Sequence, residues 1–230
     1  MRTLIAIPCM DMVHTVFMKS LLGLKKVGDV AFTLSASSLI YDARNGLAKQ
    51  AVTEKFDRIL WLDSDMDFSP DILERLSADL DEGREFVTGL YFTRKAPVKP
   101  NIFQSCGYYH DEEKKEVTPV AVNYWDYPKD SVFEIEACGF GGCLMTTDLV
   151  KRVGEEFGLP FSPILGFGED LSFCSRVKQL GVPMYCDSRV KMGHVGMGTI
   201  TEQTYEEMGH GNTSYAGRNE AGPTGVHGCV

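Results

Sequence analysis

Arg58-Ile59-Leu60-Trp61-Leu62-Asp63-Ser64-Asp65-Met66-Asp67 sets the frame for the whole chain. Four consecutive apolar residues after Arg58 suit a strand covered on both faces, and such strands present ligand-binding groups just beyond their carboxyl ends. Carboxylates follow at once, at alternating positions. Oxygen ligands of this kind hold hard divalent cations, which in turn hold phosphate oxygens. The stretch also fits a polar turn before a helix, because Ser69-Pro70 reads as an N-cap with proline at the first helical position. That second reading accounts for Ser69 but not for the three aspartates before it.

Working back from this strand, Ile40, Ala43, Leu47 and Ala51 recur at helical spacing and place Asp42, Arg44 and Asn45 near a helix start. Residues 29–34 form an expected strand, preceded by a helical pattern through Val13, Phe17, Leu21 and Leu24 and by a first strand over 3–8. Working forward, Ile72, Leu73, Leu76 and Leu80 predict a helix ending by Gly83, and residues 86–91 a further strand. This alternation implies an α/β fold whose central sheet is mostly parallel, with helices on both faces. After Tyr91 the rhythm changes to short strand-like runs at 101–103, 120–124 and 132–135, a smaller antiparallel extension. Helices are expected again over 146–157 and 169–180. Residues 1–196 then make one domain, and the glycine-rich, polar stretch 197–230 reads as a flexible lid or tail.

At 230 residues and 43% hydrophobic content the chain supports one sizeable core. A formal net charge of −9 argues against a broad basic face for nucleic acid or anionic lipid. Arg94, Lys95 and Lys99 form the nearest basic patch and read as solvated loop. No apolar run approaches a membrane span, and Met1-Arg2-Thr3 enters a strand without a signal-peptide core, so a cytoplasmic location is expected. Seven cysteines without any Cys-x-x-Cys pair favour reduced thiols, mostly small core residues.

A second constellation is Gly166-Phe167-Gly168-Glu169-Asp170, two carboxylates at the start of a helix. The helix dipole favours their ionised form, whereas burial beside another carboxylate raises a pKa toward the range of a general base. Acids in a first helical turn are also ordinary dipole partners. Further on, His194 lies between glycines in a strand-like segment; an imidazole completes many divalent-metal sites, and a lone histidine is often structural. The Gly141-Gly142 turn either leaves room for a ligand or makes a hairpin. Tyr91, at a strand end, either stacks on a ligand or sits in the core with its hydroxyl reaching the surface.

Taken in order, the first strand ending at Pro8, Asp42-Ala43-Arg44-Asn45, Leu62-Asp63-Ser64-Asp65, Gly141-Gly142, Gly168-Glu169-Asp170 and His194 resemble the GT-A glycosyltransferases, and more closely small family 2-like members of bacterial and phage genomes. The resemblance spans roughly residues 3 to 196. It implies a metal-dependent hexosyltransferase that uses Mn2+ or Mg2+ and a nucleotide diphosphate sugar, UDP-sugar foremost, to glycosylate a glycan, lipid-linked or small-molecule acceptor, with inversion. By the same resemblance Asp170 is the base and Glu169 orients acceptor or base. Asp65, Asp63 and His194 hold the metal, and Pro8, Cys9, Met10, Arg44, Asp63, Ser64 and Gly142 contact the donor. Two features of the pattern differ here: Cys9-Met10-Asp11 follows the first strand in place of an aromatic-Asn pair, and no Gln-x-x-Arg-Trp motif is present. The competing expectations are a non-catalytic nucleotide-sugar or carbohydrate-binding module and a sugar nucleotidyltransferase, although no P-loop or glycine-rich phosphate loop is present.

Overall fold

A computed structural model describes residues 1–111, 113–196 and 199–207. The first half alternates strand and helix: β1 (Arg2–Cys9), α1 (Thr15–Gly23), β2 (Asp29–Ala36), α2 (Ile40–Thr53), β3 (Arg58–Leu62), the two-residue β4 (Met66–Asp67), α3 (Ile72–Asp81) and β5 (Phe86–Leu90). The second half is less regular: β6 (Ile102–Asp111), β7 (Glu116–Asn123), β8 (Val132–Ile135), β9 (Ala137–Cys138), β10 (Gly142–Thr146), α4 (Thr147–Phe157), α5 (Glu169–Gln179), β11 (Met184–Lys191), β12 (Gly193–Val195), β13 (Thr199–Ile200) and α6 (Glu202–Glu207).

Seven strands form the central sheet in the order β2-β1-β3-β10-β5-β11-β8. β10 lies antiparallel between β3 and β5, and β8 antiparallel to β11, so five of the seven strands run one way. The sheet is mostly parallel, as the alternation of elements implies. Its order differs in one respect: the strand after α3 does not sit beside β3, because β10 returns from far along the chain and fills that place.

The period-2 pattern of buried strands explains the two layers of helices. Leu4 and Ala6 of β1 and Ile59 and Trp61 of β3 face a core completed by Leu47 and Ala51 of α2, Leu149 and Val153 of α4, and Phe173 and Val177 of α5. Their neighbours Ile5, Ile7, Leu60 and Leu62 face the opposite way, onto Phe17 of α1 and Ile72, Leu73, Leu76 and Leu80 of α3. All five residues of β3 are buried, and each large apolar side chain there contributes roughly 1.5–3 kcal/mol of transfer free energy. β3 is the spine that fixes where its terminal carboxylates emerge.

Ser69 does not cap α3. The N-cap is Asp71, and Ser69 Oγ donates to the Asp71 carboxylate at 2.5 Å, tightening the turn before the helix. The antiparallel extension is the β7-β6-β9 sheet, its hairpin turning close to the charged segment 111–116. The six described cysteines are buried. Among the described residues no helix is long and apolar enough to cross a membrane.

Residues 199–207, read with the tail in the sequence, pair and pack: β13 joins β12, and Tyr205 of α6 stacks on Phe92 at 4.5 Å between ring centroids. Residues 197–198 and 208–230, the rest of the expected lid or tail, lie outside the described residues.

Candidate active site

β3 ends at Leu62, and the chain turns at once, Met66 N–H donating to the Asp63 carbonyl at 3.2 Å. The turn splits the three aspartates. Asp63 and Asp65 enter a cleft of about 630 Å³, whereas Asp67 in β4 accepts from Ser20 of α1 at 2.8 Å. β4 pairs with β12, setting His194 opposite Met66, and Val195 N–H donates to the Asp65 carbonyl at 2.8 Å. Backbone pairing across some 130 positions therefore brings the imidazole to Asp65. Its Nε2 lies 3.4 Å from Asp65 Oδ2.

Arg44 ties the two acidic motifs together. Its guanidinium, 2% exposed, donates through Nη2 to Asp63 Oδ1 at 2.7 Å and through Nε to Glu169 Oε1 at 3.2 Å. It packs over the rings of Trp61 and Phe140, and its Nη1 is buried without an acceptor among the described residues. Burial works against the charge on Arg44, but Asp63, Glu169 and Asp170 outweigh it and hold the pKa above the usual arginine value. Asn45, next in α2, accepts from Phe161 N–H and anchors the loop before α5. The Asp-Ala-Arg-Asn helix start is thus a clamp holding β3 to the α5 N-terminus.

Glu169 lines the cleft, and Asp170, half-buried beside it, accepts from its neighbour Leu171 N–H at 2.7 Å. Burial, then the adjacent Glu169 charge, push Asp170 up to about 6, against the weaker pull of Leu171 N–H and Arg44. Burial also raises Asp63, partly offset by Arg44. At Asp65 burial is outweighed: bonding to His194 and the charges of His194 and Arg94 lower its pKa. Asp170 itself does not line the cleft, so the carboxylate held as an anion, Asp65, lies in it and the one able to take a proton near neutrality lies next to Glu169 in its wall.

Among the described residues no group of three His, Cys, Asp or Glu side chains is arranged to hold a metal ion. Asp65 and His194 nevertheless suit two ligands of one ion. The Phe92 carbonyl can only accept, so His194 Nδ1, 2.8 Å away, carries the proton. In the neutral ring the Nε2 lone pair then faces the Asp65 oxygen, and two facing acceptors call for a proton or a cation between them. Magnesium-type ions bound through few protein ligands complete their shell with water and substrate phosphates. Asp63, the third expected ligand, has Oδ1 occupied by Arg44.

Of the expected donor-contact residues, Pro8, Met10, Arg44, Asp63 and Ser64 line the cleft. Cys9 and Gly142 are buried, and Gly142 pairs with Leu62 inside the sheet. A Cβ on Gly142 would stand 2.3 Å from Met192 Sδ, and one on Gly139 2.2 Å from the Tyr91 hydroxyl, so these glycines admit core side chains. Tyr91 belongs to that core: its hydroxyl accepts from Gly141 N–H at 3.0 Å and from Asn101 at 2.5 Å, and its ring meets His194 edge-on. Arg94, read from sequence as solvated surface, pairs with Asp65 and lines the cleft. Nothing in the local pattern around Arg94 marks it, because the contact joins residues 29 positions apart.

No protein-family model matches the chain, and no curated protein matches it in sequence. Solved structures do share its fold. A197 from STIV superposes with a TM-score of 0.59 at 21% identity, covering 85% of this chain and 86% of that one. GalNAc-T7, solved with UDP, GalNAc and Mn2+, superposes with a TM-score of 0.56 at 12% identity over 85% of this chain and 44% of GalNAc-T7. The chain has a GT-A-like glycosyltransferase fold. It spans under half the length of GalNAc-T7.

Proposed function

We propose that this chain is a metal-dependent glycosyltransferase that moves a hexose from a nucleotide diphosphate sugar, UDP-linked foremost, to an acceptor hydroxyl. The observation that carries the reading is the convergence on one cleft of Asp63, Asp65, His194 and Glu169, with Asp170 behind Glu169 and Arg44 beneath them. The fold shared with GalNAc-T7, whose structure holds UDP, GalNAc and Mn2+, supports it.

Asp65 and His194 would hold Mn2+ or Mg2+, and such an ion supplies charge neutralisation for a departing diphosphate. Asp170 takes the proton of the acceptor hydroxyl as that oxygen bonds to the anomeric carbon; the bond from that carbon to the diphosphate breaks, and the electron pair leaves with the nucleotide. Attack from the face opposite the leaving group inverts the centre. Arg44 fixes Asp63 toward the donor and Glu169 toward the acceptor, and Pro8, Met10 and Ser64 shape the nucleotide end of the cleft.

Purified protein incubated with UDP-, GDP- and TDP-sugars should release nucleoside diphosphate from one donor class, in the presence of Mn2+ or Mg2+ and not after chelation. Asp65→Ala should lose the metal requirement together with donor binding. Donor binding without any release of diphosphate would assign a binding module instead. Unchanged metal dependence in Asp65→Ala would remove Asp65 from the metal site.

A further inference from the structure

A second cleft, of about 410 Å³, opens between the β6–β7 hairpin and α5 and shares no lining residue with the first. Its ionisable lining groups are Arg176 and His110, with the tyrosine Tyr108. Among the described residues no carboxylate lines it, in a chain of formal net charge −9. Arg176 lies on α5 about two turns beyond Asp170 and is 6% exposed. A buried arginine is ordinarily matched by an acid, as Arg44 is here. Arg176 has no ion pair among the described residues; one N–H donates to the Pro160 carbonyl at 2.9 Å. Of the five N–H groups of a guanidinium that leaves four without a protein acceptor among the described residues. Burial accordingly lowers its pKa below the usual arginine value.

Much of the remaining wall is apolar. Phe157 from the end of α4, Val117 of β7 and Ile164-Leu165 surround the arginine, and at the rim Val117 is 41% and Leu165 64% exposed. A concave site of a few hundred Å³ with largely apolar walls and a few polar groups is the form of a small-ligand pocket. A guanidinium at its base selects a planar or tetrahedral oxyanion.

We infer that this cleft binds an organic anion, a single phosphate or carboxylate carried on an apolar segment, with the anionic group on Arg176 and the apolar part against Val117, Ile164 and Leu165. The wall of the cleft is also the segment that leads into Asp170: Tyr108 hydroxyl donates to the Leu165 carbonyl at 3.0 Å, and Ile164 N–H donates to Ser172 Oγ of α5 at 2.9 Å. The inference does not depend on the reaction proposed above.

Hexyl phosphate titrated into the full chain by calorimetry should bind one equivalent, with inorganic phosphate weaker and hexanol silent. Arg176→Gln should abolish binding. Because that variant also frees the Pro160 carbonyl, Gln179→Glu provides a second test: it places a carboxylate on the exposed cleft wall within reach of Arg176 and should weaken binding about tenfold, the scale of one charge-assisted hydrogen bond, while leaving thermal stability unchanged. Phosphatidylcholine vesicles with and without phosphatidic acid separate the sources. Retention on the acidic vesicles alone, lost in Gln179→Glu, assigns a lipid headgroup, and hexyl phosphate binding without retention assigns a soluble anion. Hexyl phosphate affinity equal in the parent chain and a folded Gln179→Glu variant overturns the inference, as does the absence of any binding.

Discussion

Two groups of carboxylates are gathered around an arginine in this molecule, and they are built inside out with respect to each other. At the candidate site Arg44 is the buried partner, 2% exposed, while the Asp63 and Glu169 side chains keep 29% and 16% of their surface. At the far end of α3 the order is reversed: Asp79 and Asp187 are the buried partners, at 5% and 3%, and Arg189 covers them from outside at 47%. A cation placed beneath its acids turns them toward a cleft, where they can meet a ligand. A cation placed over its acids closes them off. The closed pair joins α3 to β11, with Arg189 donating to Asp187 at 2.8 Å and to Asp79 at 3.1 Å, and Asp79 Oδ2 finds no donor among the described residues. Acidity alone therefore does not mark a site; which member of the pair is buried does.

The comparison breaks most sharply at Asp170. Asp170→Asn should lower transfer by about 10² to 10⁴ with nucleotide affinity kept, as expected for loss of a general base. In the parent chain the rate should rise with pH through about 6, where Asp170 loses its proton, and a pH–rate profile reads this directly. Full activity in the Asn variant would remove Asp170 from the mechanism.

Removing the buried cation comes next. Arg44→Met should cost about 3 kcal/mol in a urea titration, the low end for breaking a buried pair because Asp63 and Glu169 retain contact with water. A loss below 1 kcal/mol would show that the clamp between α2, β3 and α5 is held by packing alone.

At the closed pair, burial and then the neighbouring Asp187 push Asp79 up to about 6. A carboxyl raised in the folded state binds its proton more tightly than in the unfolded chain, so its stabilising contribution is complete below about pH 4 and is lost as pH rises through about 6. Asp79→Asn should flatten that decline in Tm between pH 4 and 6. An unchanged slope would mean that the pair does not share a proton. The smallest effect belongs to Arg94, which is 45% exposed. Arg94→Ala frees Asp65, and Mn2+ binding followed by electron paramagnetic resonance should tighten by less than about fivefold, the worth of an exposed pair.

Much of this architecture was written locally. β3 and β8 have the bounds read from sequence, and α2 follows the spacing of its apolar face, because a buried strand or an amphipathic helix declares its period within a few residues. β10 escaped that reading. Its five residues follow a glycine turn and run into α4, too short a stretch to show a period, and its place between β3 and β5 is fixed by pairing partners more than fifty positions away. β11 escaped as well, since alternation is weak where Asp187 and Ser188 are buried with the apolar residues. Ser69 misled for a related reason: its hydroxyl was free to bond Asp71 instead of the helix.

The sequence by itself determined the chemistry of the cleft, because the spacing of Asp63 and Asp65 after an apolar strand and of Glu169-Asp170 at a helix start is set by neighbours along the chain. Only the tertiary structure decided how those groups are placed. The pairing of β4 with β12 turned His194 toward Asp65, and the burial of Arg44 directed Asp63 and Glu169 outward. The closure of the β6–β7 hairpin over α5 left Arg176 in a cleft with no acid among the described residues to match it. Each depends on which distant surface removes water from a charge, and no local pattern carries that information.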